Sequence, residues 1–234
     1  LNYIVSYYQT TKHKFIAAPV TFYKEKTVFE KFQSLDFMGM MAVAAAGIRG
    51  GFMQMANGAN LAYEKSVFEQ VGGFEGNEHL ASGDDMLLME KIAAIYPQKI
   101  GFLKQLGAQT KTLPQPSIRA FGRQRIRWAS KSTSYKGWQV KSILLMVWLF
   151  CLSMLFDLIA AFWFPTLFYL FLFKFTTKAI VDFRFLYTMT VFFKRRDLLI
   201  AFIPSLFYHW TYIVVIGLLG NTFKEYQWKG RRTN

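Results

Sequence analysis

Cysteine occurs once among the 234 residues, proline six times and glycine sixteen times. A lone Cys151 excludes a disulfide scaffold, and its place in an apolar run says nothing about redox compartment. So little proline and glycine, without a repeat, excludes collagen-like and low-complexity chains. Charge is scarce too: 18% of residues are charged and 53% are hydrophobic, which excludes disorder. Acid is the scarcer sign, with 14 Asp and Glu against 28 Lys and Arg and a net charge of +14. Between Lys91 and Lys141 there are 11 basic residues and no acid. A chain both basic and apolar, with mean hydropathy +0.19, points to a membrane protein with a basic cytoplasmic flank and away from a nucleic-acid partner. The N-terminus has no Met and no basic head before an apolar stretch. No secretory signal is therefore expected, and the chain reads as a fragment or processed product.

What is abundant is apolar and aromatic, and it is unevenly spread. From Ile143 to Phe173 run 31 residues with one charge, Asp157. Roughly 20 apolar residues suffice to cross a bilayer, and Pro165 is a natural break. A second run, Leu198 to Leu219, has His209 as its only titratable group besides tyrosine. Three spans are expected, near 143–162, 165–187 and 198–220. The middle one carries Lys174, Lys178, Asp182 and Arg184. Lys178 and Asp182 stand four apart and either neutralise each other or lie in water on a membrane-surface segment. The positive-inside bias places Lys136 and Lys141 in the cytoplasm and sends the first span outward. The second span returns to Lys194, Arg195 and Arg196. The third then ends outside, although Lys224, Lys229, Arg231 and Arg232 follow it.

The front of the chain reads as a mixed α/β domain. A short amphipathic helix is predicted at Leu1–Gln9 and a strand over Phe15–Tyr23 around Pro19. Helices are predicted at Val28–Met41, at Asn60–Val71 with Asn60 as its cap, and at Asp84–Tyr96. Ala42–Ala46 is too small-sided to assign. Ile100–Leu103 and Ala108–Thr112 read as short strands, and the alternation points to an α/β sheet.

Three local patterns can carry chemistry. In Ser82-Gly83-Asp84-Asp85, two carboxylates open a helix whose N-terminus favours their charge. They suit a general base or a metal ligand, or serve only as a cap. In Gln124-Arg125-Ile126-Arg127-Trp128, a helix over Pro116–Thr133 puts Gln124, Arg127 and Trp128 on one face. Arginine offers a fork for phosphate oxygens and tryptophan a platform for a sugar ring. The same residues also fit an interfacial helix with snorkelling arginines and a belt tryptophan. Asn57-Gly58-Ala59-Asn60 and Val71-Gly72-Gly73-Phe74 let backbone approach a ligand, or simply turn.

Taken in order, these patterns, followed by the spans, resemble the membrane-bound family-2 glycosyltransferases, inverting enzymes that include cellulose and hyaluronan synthases. The closing Trp228-Lys229-Gly230-Arg231 looks like the tail of bacterial members. The resemblance implies a partial GT-A-like nucleotide-sugar transferase domain followed by an all-α transmembrane region. In that reading residues 1–112 are the C-terminal half of the catalytic domain, 113–141 a basic interfacial segment, 142–220 the spans and 221–234 a basic tail. It implies Asp85 as catalytic base beside Asp84. It further implies that Gln124, Arg127 and Trp128, with Asn57, Gly58 and Asn60, bind the donor diphosphate and the acceptor. A nucleotide-sugar donor, a lipid-linked or polysaccharide acceptor, membrane lipids and a divalent cation (Mg or Mn) are the implied partners. The implied location is a bacterial inner membrane, multi-pass, with the catalytic part cytoplasmic. The family's Asp-x-Asp metal motif does not occur in this sequence, so no metal ligand is assigned here and the isolated chain is expected to be inactive. Two other classes also fit the composition: a membrane transport protein, and a catalytically silent membrane-anchored binding module.

Overall fold

The computed structural model describes residues 1–51, 55–75, 83–129, 138–222, 227–228 and 231–232, with side chains as far as residue 219. The expectations on Ser82, on residues 130–133 and on Lys136, Lys224, Lys229 and Gly230 lie outside the described residues. The chain divides into two units: Leu1–Lys24, Met40–Pro114 and Lys224–Asn234 form one, Glu25–Gly39 and Gln115–Phe223 the other.

In the first unit, helix α1 (Asn2–Thr11) ends at Lys12 in the left-handed region, its N–H donating to the Tyr8 carbonyl. The strand expected around Pro19 is two strands, β1 (Phe15–Ala17) and β2 (Val20–Phe22), in separate sheets. Proline supplies no ladder donor. Its carbonyl instead accepts the Thr110 N–H and the Asn60 amide. Helix α2 (Val28–Gly50) begins in the second unit and ends in the first. It opens on a capping box: Thr27 Oγ1 accepts the Glu30 N–H at 3.1 Å, and Glu30 Oε2 accepts the Thr27 N–H at 3.3 Å. It continues through Ala42–Ala46 because alanine, though it leaves no amphipathic signature, is the strongest helix former.

The expected helix from Asn60 is corrected. Leu61–Tyr63 is strand β3, antiparallel to β1 with Tyr63 opposite Phe15, and helix α3 spans only Lys65–Gln70. Pairing along β1 overrides the helical preference of Leu-Ala. Asn60 is no cap: its buried amide turns inward. Helix α4 (Asp84–Ile95) follows, then β4 (Ile100–Phe102), parallel to β1, and β5 (Thr110–Thr112), parallel to β2. The three-stranded sheet is therefore mixed, in the order β3-β1-β4. Both faces of β1 are covered. Phe15 and Ala17 pack with Leu88, Met89 and Ile92 of α4, while Ile16 and Ala18 pack with Ile4, Tyr7 and Leu103.

The second unit is helical. Its members are the start of α2, α5 (Ile118–Ala129), α6 (Trp138–Ala160), α7 (Thr166–Phe192), a 3-10 turn (Arg196–Ala201) and α8 (Phe202–Thr222). Ser117 Oγ accepts the Ala120 N–H and starts α5. The fully buried Gln33 amide acts like a strand neighbour for Gln115, donating to its carbonyl at 3.0 Å and accepting its N–H at 2.8 Å. Among the described residues two stretches are long and apolar enough to cross a membrane, Trp138–Ala160 and Arg196–Leu219. Only 17% and 33% of them is buried, whereas a soluble core helix would be mostly covered. The middle helix forms where expected, with Pro165 just ahead of it, but its four charged residues keep it out of that class. At the C-terminus β6 (Gln227–Trp228) and β7 (Arg231–Arg232) pair antiparallel.

Candidate active site

The structure joins two of the sequence patterns within the first unit. Asn57-Gly58-Ala59-Asn60 is a tight loop. Asn57 Oδ1 accepts the Ala59 N–H and the Asn57 carbonyl accepts the Asn60 N–H, each at 3.0 Å. Asn60 clamps the loop to the unit, donating to the carbonyls of Pro19 at 2.8 Å and Ala108 at 2.7 Å. So held, the exposed Gly58 N–H donates to Asp85 Oδ2 at 2.7 Å. Asp85 Oδ1 accepts from Met86 N–H at 3.0 Å, at the first turn of α4. The carboxylate is thereby fixed from the helix and from the loop by charge-assisted bonds. Among the described residues each oxygen accepts one hydrogen bond, which leaves it a further lone pair, and the residue is only half-buried. Asp84, one position earlier, is exposed. Gly83 ahead of both adopts φ 110, a conformation that favours glycine.

Val71-Gly72-Gly73-Phe74 works as a turn. Gly72 and Gly73 have φ 70 and 50, and the Gly73 and Glu75 carbonyls accept from Lys91 Nζ at 3.0 and 2.6 Å. Lys91 belongs to α4, so the turn helps hold the helix that presents Asp85.

The third pattern belongs to the second unit. Gln124, Arg127 and Trp128 all lie on α5, at the spacing that gives them one face, and all are half-buried. Gln124 Oε1 is buried and meets no donor among the described residues. Arg119 and Arg123 of the same helix are exposed. The residue between, Arg125, is the most buried of the set. It forms an ion pair with Asp36 at 2.5 Å, both side chains only 4% exposed. Its guanidinium carbon lies 4.3 Å from the Trp128 ring centre. Sequence reading passed over both partners, because Gln-x-x-Arg-Trp leaves the Arg125 position open. A signal for Asp36 existed: it is the only charge between Phe32 and Ile48, and a lone acid in an apolar helix is rarely buried unpaired.

Charges on α6 and α7 also find partners. Asp157 pairs with Lys174 at 2.6 Å, Lys174 donates to Ser153 Oγ at 3.1 Å, and Lys178 pairs with Asp182 as their spacing suggested. These pairs satisfy one another and lend the transport reading no support. Among the described residues no group of three or more His, Cys, Asp or Glu is placed to hold a metal ion.

Compared with known proteins, the chain matches no curated sequence and no solved structure. The pattern of one family does match, and it covers residues 1–221, taking in the Asn57–Asn60 loop, Asp85, the Gln124–Trp128 helix, α6, α7 and nearly all of α8. On that match the chain belongs to glycosyl transferase family group 2.

Proposed function

We propose that this chain serves in the inverting transfer of a sugar from a nucleotide-sugar donor to a lipid-linked or polysaccharide acceptor, at the cytoplasmic face of a bacterial inner membrane. Asp85 takes the proton of an acceptor hydroxyl. That oxygen forms a bond to the anomeric carbon as the bond from that carbon to the diphosphate breaks, and the diphosphate leaves with the electron pair. Asp84 supports the local charge at the start of α4. Asn57, Gly58 and Asn60 form the loop that sets Asp85. Gln124, Arg127 and Trp128 hold the donor diphosphate and the acceptor sugar. The mixed sheet with flanking helices supports a GT-A-like reading of the first unit, and the apolar, largely uncovered α6 and α8 support a multi-pass membrane location.

The observation that carries the reading is the Asp85 carboxylate fixed by the Gly58 N–H, inside the stretch that matches the family. A general base must keep its direction while leaving a lone pair for the incoming proton. The described carboxylates do not make a complete metal site. A divalent cation, Mg or Mn, is proposed to arrive with the diphosphate and to take its protein ligands elsewhere. Without an Asp-x-Asp pair, residues 1–234 are proposed to be inactive alone. The test joins the chain to an Asp-x-Asp-bearing nucleotide-binding half. Asp85→Asn should lower turnover at least about a hundredfold with donor KM little changed. Wild-type-like turnover in that variant would move the role to Asp84 or Glu90.

A further inference from the structure

The Asp36–Arg125 pair lies in the second unit beside the Gln124–Trp128 motif and takes no part in the proposed transfer step. A buried ion pair loses about as much in desolvation as it gains in attraction, so stability alone is a poor reason for one. The surroundings supply a better reason. The Arg125 guanidinium carbon lies 4.7 Å from the Phe121 ring centre, 4.3 Å from that of Trp128 and 5.6 Å from that of Tyr212. Trp128 also meets Phe37, the neighbour of Asp36 in α2, as a tilted ring pair with centres 6.1 Å apart. Asp36 is itself oriented: Tyr212 OH donates to its Oδ1 at 2.8 Å, and His209 Nε2 stands 3.9 Å from the same oxygen. Its Oδ2 takes Arg125. Attraction between a guanidinium and an indole depends on the cation staying over the ring face. Asp36 thus restrains Arg125, and Arg125 with Phe37 restrains the Trp128 ring.

We infer that Asp36 and Arg125 are positioning residues for Trp128, fixing its indole as a platform for the acceptor sugar. The task assigned to that platform rests on the transferase reading above, and the restraint itself does not. Asp36 and Arg125 touch no reacting group. Their effect passes through the tryptophan, so it should fall on acceptor binding and spare the donor.

The test uses the membrane-embedded chain labelled with 5-fluorotryptophan, its Trp128 resonance assigned from Trp128→Phe. Asp36→Asn alone strands a buried cation and can unfold the protein. The principal variant is therefore the neutral pair Asp36→Asn with Arg125→Gln. Its Trp128 resonance should shift or broaden, while those of the other five tryptophans stay in place. Joined to a nucleotide-binding half, the same variant should raise acceptor KM roughly tenfold, the scale of a desolvated cation–ring contact, with donor KM within about twofold. Arg125→Lys keeps the charge but loses the planar stacking group, and should move acceptor KM the same way. Asp36→Glu, which keeps the carboxylate, should restore most of it. Glu25→Gln is the control, since it breaks another ion pair of the same unit, with the half-buried Arg195 at 2.9 Å. An unmoved Trp128 resonance in the neutral pair, or a Glu25→Gln variant with the same resonance and KM changes, overturns the inference. Absence of turnover in the wild type would count against the transferase reading alone, and the resonance would still decide the restraint.

Discussion

Glu64 shows how much one side chain can tie together. Its carboxylate accepts from Lys14 at 2.7 Å and Tyr8 at 3.2 Å through Oε2, and from Ser66 at 3.0 Å through Oε1. The Lys14 hydrogen bond, opposed by modest burial and helped by Ser66 and Tyr8, holds the carboxyl below its ordinary pKa. A carboxyl depressed by folding adds stability that is present above its unfolded pKa and is lost as pH falls through the folded one. The wild type should therefore lose up to ~1 kcal/mol more stability than Glu64→Gln on acidification from neutral pH to below the ordinary carboxylate range. Thermal unfolding of both proteins across that pH range checks it, and parallel curves would show the pair to be idle. At this scale the sequence was legible where a residue type and its chemistry coincide. The adjacent acids Asp84 and Asp85 pointed to a helix start, and α4 begins there. It was not legible where the partner is remote: nothing near Asn60 announces the carbonyls of Pro19 and Ala108, and nothing near Arg125 announces Asp36.

Among the elements, α6 and α8 meet at a glycine. A Cβ placed on Gly217 would collide with the Trp148 indole, whose Nε1 in turn faces the Val214 carbonyl at 3.4 Å. Small residues let apolar helices approach this closely where no hydrophobic force from water draws them together. Trp210 of α8 reinforces the contact by donating to the Cys151 carbonyl of α6 at 2.8 Å. Gly217→Ala should therefore cost about 1–3 kcal/mol by overpacking, read as a lower unfolding midpoint in detergent. Gly122→Ala on α5, where an added Cβ meets nothing within 4 Å, should be neutral or gain up to about 1 kcal/mol from helix propensity. Equal midpoints for the two variants would remove the close approach from the account. Element types were mostly legible, because apolar period is local; the helix expected at Asp84–Tyr96 and found at Asp84–Ile95 is an instance. The failures were β3 and the single strand drawn through Pro19, since which short strand pairs with which is decided across the chain by β1.

At the scale of the whole molecule, the grouping of the chain follows side chains more than sequence order. Residues 25–39 join the helical unit through Asp36, Gln33 and Glu25, each paired with a residue far along the chain. The number of crossings in the proposed membrane location turns on α7. Judged by composition it fails, with Lys174, Lys178, Asp182 and Arg184 in one helix. Judged by contacts it differs from an exposed surface helix: Lys174 is neutralised by Asp157 of α6, Lys178 by Asp182, and Phe171 packs with Cys151 and Met154 of α6. Paired charges facing a neighbouring helix are the form in which a bilayer tolerates them. At 27 residues the helix is about 40 Å long, enough to span with some tilt. It also turns back on α6 after only residues 161–165, so where α6 crosses, α7 shares its depth. The expected outcome is that both cross. With Cys151 buried and shielded from an aqueous reagent, single cysteines at Lys141 and Lys194, both exposed in the structure, should react with a membrane-impermeant maleimide on the same side of sealed membrane vesicles that carry the protein. Labelling on opposite sides would mean that α7 lies along the far surface, and the three-span arrangement would give way to two crossings by α6 and α8.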